Sequence, residues 1–465
     1  MKKMFSARTV IVCALALAFA GCAVGPTYQR PAVETPVAFK EGQGAWVTAV
    51  PADMLERGPW WQLFQDPVLD DLASQVDVSN QNVAVAVAAY AQARALTAEQ
   101  RASLLPTVNL TVGATRSGSG SGPATSRYQV GLGGGWEPDV WGRLGRAVDA
   151  SRAGEQASLA DLQSAKLSAQ GELALDYFNL RQLDAQIELQ KQTIAGFERT
   201  FTIATNRYNA GIVAKTDLLQ AQTQLISARA DILDQERQRA VLEHAIAVLV
   251  GRAPANFSIA PRPVWQGIVP DIPFDVPSTL LQRRPDIAAA ERHVAQANEQ
   301  IGIAQAAFFP SLSLSASAGF GAARIGDLFK SSALVWSVGA SLAQALFDGG
   351  ARSARLDSAR AGLDEASARY RQTVLTAFKT VEDQLVASRI LQEQLGLRQQ
   401  ASEAANLVEQ QVLNRYLAGQ VSFTEVVNAQ ATAQNARRAL IAAQSDRQVA
   451  AVSLIQALGG GWRGL

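Results

Sequence analysis

Cysteine is nearly absent from this 465-residue sequence, which carries only Cys13 and Cys22. Both lie near the amino terminus, so the body of the chain has no thiolate for a structural disulfide or a soft-metal cluster. Histidine is as scarce, with His244 and His293 alone, and three methionines give a thioether or imidazole metal path no ligand support. Neither sign of charge dominates. A formal charge of +1 offers no electrostatic footprint for nucleic acid. Long apolar runs are missing beyond Cys22, where nothing approaches the roughly 20 residues of a membrane-spanning helix. Catalytic constellations are missing too: His244 and His293 sit in helical stretches without a nucleophile signature. Gly131-Leu132-Gly133-Gly134-Gly135 lacks the Lys and the following helix of a phosphate loop. The chain therefore reads as neither an enzyme nor a nucleic-acid binder, with no metal or cofactor implied. If the mature protein crosses a membrane, it does so as strands.

What is present begins with Lys2, Lys3 and Arg8 ahead of an apolar run, Val10 to Ala20, that ends at Gly21-Cys22. That is a secretory signal peptide over 1–21. The small residues before Cys22 resemble a lipobox, with Phe19 where Leu is usual, which implies a diacylglycerol thioether and an N-acyl chain on Cys22. Several acyl chains at about 0.8 kcal/mol per buried methylene make a permanent anchor. Ala23 stands where an inner-membrane lipoprotein would carry Asp, so the outer membrane is expected. An extended lipidated segment covers 22–65.

The chain is a tandem duplication. Arg207-Tyr208-Asn209-Ala210-Gly211 returns 208 positions later as Arg415-Tyr416-Leu417-Ala418-Gly419, and Asp149-Ala150-Ser151-Arg152-Ala153 returns at the same offset as Asp357-Ser358-Ala359-Arg360-Ala361. The first copy spans 66–251, a Pro-rich linker 252–277, the second copy 278–458 and a tail 459–465. Periodicity gives each copy a helix, two strands, a very long helix, a Gly turn and another long helix. The long helices are expected over 143–209, 215–250, 350–417 and 422–458. The longest reach on the order of 100 Å at 1.5 Å per residue, more than a compact domain needs. Leu159, Leu162, Ala165, Ala169 and Leu173 mix small and large side chains in the manner of close antiparallel packing.

Strands are expected over 106–117, 126–138, 310–321 and 333–346. Ser311 to Ala318 alternates hydroxyl and apolar residues without a break, and Tyr128, Val130 and Leu132 alternate with Gln129, Gly131 and Gly133. Each segment has the length of a tilted membrane strand. Four strands cannot close a membrane barrel, and an open edge is forbidden in lipid. Two, three or four protomers with eight, twelve or sixteen strands would satisfy both conditions.

These residues resemble the TolC/OprM-type outer-membrane efflux proteins, in the NodT-like lipoprotein branch that serves RND-type tripartite efflux. The matching stretches are Gly21-Cys22-Ala23-Val24-Gly25-Pro26-Thr27-Tyr28, Trp60-Trp61-Gln62-Leu63-Phe64, Arg283-Arg284-Pro285-Asp286-Ile287, Phe308-Phe309-Pro310 and Ala457-Leu458-Gly459-Gly460-Gly461-Trp462. The resemblance implies a membrane α+β fold: a homotrimer with a twelve-stranded β-barrel, four strands per chain, continued by an α-helical barrel in the periplasm. It also implies a periplasmic adaptor, an inner-membrane pump and export of drugs or toxic compounds through a passive gated duct. A type I-like polypeptide secretion duct, or a non-conducting envelope lipoprotein, remains open at this point.

The resemblance places the periplasmic gate at the two Arg-Tyr-x-Ala-Gly turns: Arg207, Tyr208 and Gly211, then Arg415, Tyr416 and Gly419. Acidic rings of related channels fall on Glu425 and Asn428, and Asn428 removes three charges per trimer. Asp217 is the first-copy equivalent of Glu425, and both carboxylates also suit a helix start. As a gate, Arg207, Tyr208, Asp217, Tyr416 and Glu425 are expected to interlock.

Overall fold

The computed structural model describes residues 24–42, 58–120, 122–264, 267–270, 272 and 283–460. The secretory segment, Cys22, part of the 252–277 linker and the tail from 461 lie outside them. Helices α1 (Pro67–Ser79) and α2 (Gln81–Ala102) lead into strands β1 (Thr107–Ser117) and β2 (Thr125–Trp136), then α3 (Arg143–Asn209) and α4 (Lys215–Leu249). The second half repeats the order as α5 (Pro285–Ala306), β3 (Ser311–Ala322), β4 (Leu334–Ala343), α6 (Ala351–Leu417) and α7 (Phe423–Ala457). α3 and α6 are 67 residues each and α4 and α7 35 each, the equality a duplication requires.

The first copy opens on two helices where one was expected. Asn80 breaks them: its Oδ1 accepts from Val83 N at 3.1 Å, capping α2, while its Nδ2 donates to Leu249 O at 2.8 Å. The compact units also cut across the two copies. One comprises Met1–Val33, Ala88–Leu159 and Ala289–Gln372, the other Glu34–Val87, Ala160–Ala288 and Thr373–Leu465.

In the first unit the strands form one antiparallel sheet in the order β1-β2-β3-β4. Its register puts like beside like. Leu110 pairs with Leu132, Leu132 with Ala318 and Ala318 with Trp336, whereas Thr111 pairs with Gly131, Gly131 with Gly319 and Ser317 with Ser337. The sheet thus has an apolar face and a face of hydroxyls and glycines, joined in places by bonds such as Ser317 Oγ to Ser337 Oγ at 2.8 Å. Leu110, Val338 and Leu342 on the apolar face are about two-thirds or more exposed in the protomer, a surface suited to lipid. β4 stops at Ala343 rather than 346 because its last partner is Ser311, and Pro310 ahead of it has no N–H to extend the ladder. β2 stops at Trp136 rather than 138, its Leu314 partner lying three residues inside β3 and Pro138 following.

All four helix connections leave the same end of the sheet, and both long helices start under an aspartate there. Asp139 accepts from Leu144 N and Gly145 N at 2.9 and 2.6 Å, and Asp348 accepts from Gly350 N and Arg352 N at 3.1 Å each. The segment after Cys22 is bound in this unit. Val24 N donates to Trp141 O, Arg146 donates to Val24 O and Pro26 O, Asn298 donates to Pro26 O, and the Tyr28 hydroxyl donates to Glu291. Gly25 sits at φ +124°, and a Cβ there would lie 2.6 Å from Gly302 Cα, so the seat requires glycine.

In the second unit the Trp60–Phe64 turn is a buried 3-10 helix, with Phe64 5.0 Å from Phe178. Asp66 caps α1 and accepts the Tyr177 hydroxyl at 2.8 Å. Arg284 explains the Arg-Arg-Pro-Asp stretch: it grips Asp286 through Nε and Nη2 at 3.0 and 2.7 Å and donates to Ala457 O at 2.7 Å, tying the end of α7 to the start of α5.

Burial, with Glu172 one turn away, pushes the Asp176 carboxyl on α3 up to about 6. A folded pKa above the unfolded 3.8 means the native state binds the proton more tightly, so stability from this group falls as pH rises from about 4 to 6. Asp176→Asn should therefore stabilise the protein at pH 8, by on the order of 1 kcal/mol after solvent screening at this half-buried site. It should have little effect at pH 4. Thermal melts at the two pH values test this, and equal shifts at both would refute it.

Candidate functional site

The two turns are built alike from their sequence. At the end of α3, Ile212 N donates to Arg207 O at 2.9 Å and Gly211 N to Tyr208 O at 2.9 Å. At the end of α6, Gln420 N donates to Arg415 O at 2.9 Å and Gly419 N to Tyr416 O at 3.0 Å. This is the Schellman closure of a helix, and it needs a left-handed residue just past the end. Gly211 and Gly419 fill that place at φ +73° each. The repeated Arg-Tyr-x-Ala-Gly is thus first a helix-ending device, with the Arg and Tyr on its last turn.

The two copies then diverge. Tyr416 is buried in a cluster with Ala204 of α3, Ala221 of α4, and Phe423 and Val426 of α7, its ring 5.5 Å from that of Phe423. Arg207 lies over the Tyr416 ring at 4.8 Å and donates through Nη1 to Tyr416 O at 3.1 Å and Leu417 O at 3.3 Å. Those carbonyls belong to the last turn of α6, where the helix dipole adds to the attraction for a cation. Arg207 therefore latches the end of α3 onto the end of α6. Burial pushes the Tyr416 phenol up, with Arg207 opposing and Asp217 adding to the rise.

The other expected gate residues stand differently. Tyr208 and Arg415, the counterparts of Tyr416 and Arg207, are exposed. Glu425 turns back to its own helix start, accepting from Ser422 N at 3.4 Å in the capping-box positions. Asp217 is half-buried in the first turn of α4 and accepts from the Thr216 hydroxyl at 3.4 Å. Asn428 is exposed one turn further along α7. Within the protomer Arg207 and Tyr416 are in direct contact, Asp217 acts on Tyr416 through its charge, Glu425 bonds to Ser422 at its own helix start and Tyr208 is exposed.

Behind the turns α3 meets its two neighbours through different chemistry. Against α4 it packs Phe197, Leu225 and Ala228 in one apolar cluster, beside which Gln190 Nε2 donates to Ala228 O at 2.8 Å. Against α7 it is polar: Gln430 donates to Thr200 Oγ1 at 3.3 Å, and Gln434 and Arg438 donate to Gln190 Oε1 at 3.0 and 2.6 Å. Arg229 pairs with Glu198 at 2.7 Å, and Arg437, 208 positions on, holds Asn406 and Glu409. Sequence reasoning passed over these ties, although the 208-residue offset between the two arginines marks them.

A sheet with a lipid face and a hydroxyl face, attached to paired 67- and 35-residue helices that end in latched turns, defines one protomer of an outer-membrane duct. Residues 72–252 and 276–460 match the family described as outer membrane efflux protein. The Escherichia coli cation efflux system protein CusC is 29% identical over 97% of this chain and 98% of its own. The Pseudomonas putida probable efflux pump outer membrane protein TtgC is 32% identical over 95% and 93%. Among solved structures, the outer-membrane channel OprN superposes with a TM-score of 0.86 at 31% identity, covering 95% of this chain and 100% of that one. The open state of the Neisseria gonorrhoeae channel MtrE gives 0.84 at 30% identity, covering 95% and 98%. The chain belongs to the outer membrane efflux protein family. It is an outer-membrane efflux channel of the tripartite type, with the trimeric fold in which three four-stranded sheets close one twelve-stranded barrel.

Proposed function

We propose that this chain is a passive, gated exit duct for small molecules, working with a periplasmic adaptor and an inner-membrane pump and anchored by lipid at Cys22. The latch from Arg207 to the last turn of α6 carries the gating part of this reading, since it joins two helix ends that must separate if the turns open. Relatives are named for cations in the case of CusC, toluene for one TtgC, an antibiotic for ArpC and pyoverdine for OpmQ. So wide a range on one fold supports a duct that accepts what the pump delivers.

The anchor reading rests on Cys22, two residues before the Val24 backbone that Trp141 and Arg146 hold. Mass spectrometry of the mature chain should give an amino-terminal Cys22 carrying a diacylglycerol and an N-acyl chain, and Cys22→Ser should lose that mass. In cells lacking their own channel but retaining adaptor and pump, the wild-type chain should lower the accumulation of a fluorescent dye severalfold. Lowered accumulation without adaptor and pump would overturn the tripartite reading, and an unmodified mature Cys22 the anchor.

A further inference from the structure

Where the sheet meets the helices, the first unit holds a cavity of about 400 Å³ that the duct reading leaves unused. Arg143 of α3, Arg352 and Arg355 of α6, Ile303 and Ala304 of α5, and Ala307 just past its end line it. No carboxylate lines it. Two acids stand beside it: Glu137 pairs with Arg143 at 2.7 Å, and Asp348 pairs with Arg352 at 2.7 Å while also accepting the Gly350 and Arg352 amides. Each guanidinium has five N–H donors, so these bonds leave several on both arginines. Arg355 is exposed and has no ion pair among the described residues, so it stands as an uncompensated cation.

The surroundings of this cationic pocket are apolar in a particular way. Ile303, Ala304 and Ala307 give it an aliphatic side next to Gln300, and Phe308, stacked under the Arg352 guanidinium at 5.6 Å, leads into β3. Leu346 and Phe347, between β4 and Asp348, are more than 90% exposed. Apolar side chains of that exposure beside a strand end fit the boundary of the hydrocarbon, and arginines just beyond them stand at headgroup depth. A ligand that fills both parts is an amphiphile with an anionic head.

We propose that this cleft binds the phosphodiester of an anionic glycerophospholipid from the periplasmic leaflet of the outer membrane. Arg143, Arg352 and Arg355 take the phosphate oxygens, and the glycerol and upper acyl carbons lie against Ile303, Ala304 and Ala307, with Leu346 and Phe347 beside the chains. Planar guanidinium forks suit phosphate oxygens in pairs, and three around one pocket supply more donors than one phosphate needs. The site rests on the membrane placement of the strands and is independent of gating at the turns.

The test is native mass spectrometry of the detergent-purified trimer titrated with phosphatidylglycerol, with diacylglycerol and inorganic phosphate as the comparison ligands. The wild type should retain up to three phosphatidylglycerols with saturable affinity and show no such retention of diacylglycerol. Arg355→Ala, at an exposed position without an ion pair, should weaken retention about tenfold, as loss of one charged hydrogen bond does. Arg355→Glu should abolish it, while Arg127→Ala, at the opposite end of the sheet, should leave it unchanged. Equal retention by wild type and Arg355→Glu would overturn the site, and inorganic phosphate binding as tightly as phosphatidylglycerol would overturn its assignment to lipid. Planar-bilayer conductance of the same trimers separates the two readings, because a conducting trimer without Arg355-dependent retention refutes the lipid site alone.

Discussion

Arg207→Ala should turn a mostly closed channel into a mostly open one in planar bilayers, raising the time-averaged current at least tenfold. The argument starts from two charged hydrogen bonds, at 3.1 and 3.3 Å, and a ring contact at 4.8 Å, all made by one guanidinium to the end of α6. Partly exposed contacts of this kind contribute on the order of 2 kcal/mol per protomer. Three latches in a trimer then sum to about the 5.5 kcal/mol that moves a two-state gate between 1:99 and 99:1. Arg207→Lys should be intermediate, since an ammonium keeps the charge but lacks the planar guanidinium that lies over the Tyr416 ring. Arg415→Ala is the internal control: it removes the same residue type from the duplicated motif, at a position that is exposed. Equal currents for Arg207→Ala and Arg415→Ala would place the gate elsewhere.

That control exists because the sequence repeats a motif whose two copies close their helices alike and then meet different neighbours. The helix ends were legible, since Arg-Tyr-x-Ala-Gly carries a Gly at the place a Schellman closure needs, and α3 spans the expected 143–209. The sheet faces were legible as well, because a strict alternation such as Ser311 to Ala318 permits one register with all hydroxyls on one side. Strand ends were read two or three residues too long where the limit is set by the neighbour: Pro310 ends the ladder that β4 could otherwise extend. The break at Asn80 carried a local cap signal, but half its cause is Leu249, 169 residues away. Gate membership was legible only in part. Glu425 has the spacing of a capping box with Ser422, a local use that the sequence carries beside its expected place in the gate. What separates Tyr416 from Tyr208 is the cluster contributed by Ala204, Ala221, Phe423 and Val426, drawn from three other helices.

Least legible of all was the charged network around Asp184, from which the largest loss of stability is expected. Arg181 and Asp184 on α3 pair at 2.9 Å with side chains only 2% and 1% exposed, in a stretch that reads as ordinary helix surface. The burial comes from partners distant in sequence. Arg239 of α4 donates through Nε to Asp184 at 2.6 Å and through Nη2 to Ile259 O at 2.6 Å. Arg262 N donates to Asp184 at 3.0 Å, Arg181 donates to Ala260 O at 2.9 Å, and the Arg181 guanidinium lies 4.8 Å from the Tyr177 ring. One carboxylate thus joins α3, α4 and the strand of chain that follows α4. Asp184→Ala leaves the buried Arg181 without its carboxylate, while Arg239 keeps Glu243 at 2.8 Å, and removing one partner of a buried pair costs about 3–5 kcal/mol. The thermal midpoint of the trimer should fall by roughly 10 °C. Asp234→Ala, which breaks an exposed pair with Arg237, should leave the thermal midpoint close to that of the wild type. The two sets of variants should also separate in kind. Arg207→Ala should open the channel with little change in melting, because its contacts lie at the outermost turn of α3, whereas Asp184→Ala should lower melting and, in the trimers that remain folded, leave the closed current low. An Asp184→Ala trimer that melts like the wild type would mean that solvent or Glu243 compensates Arg181 and Arg239, and the network would then not be the bolt that holds α3 to α4.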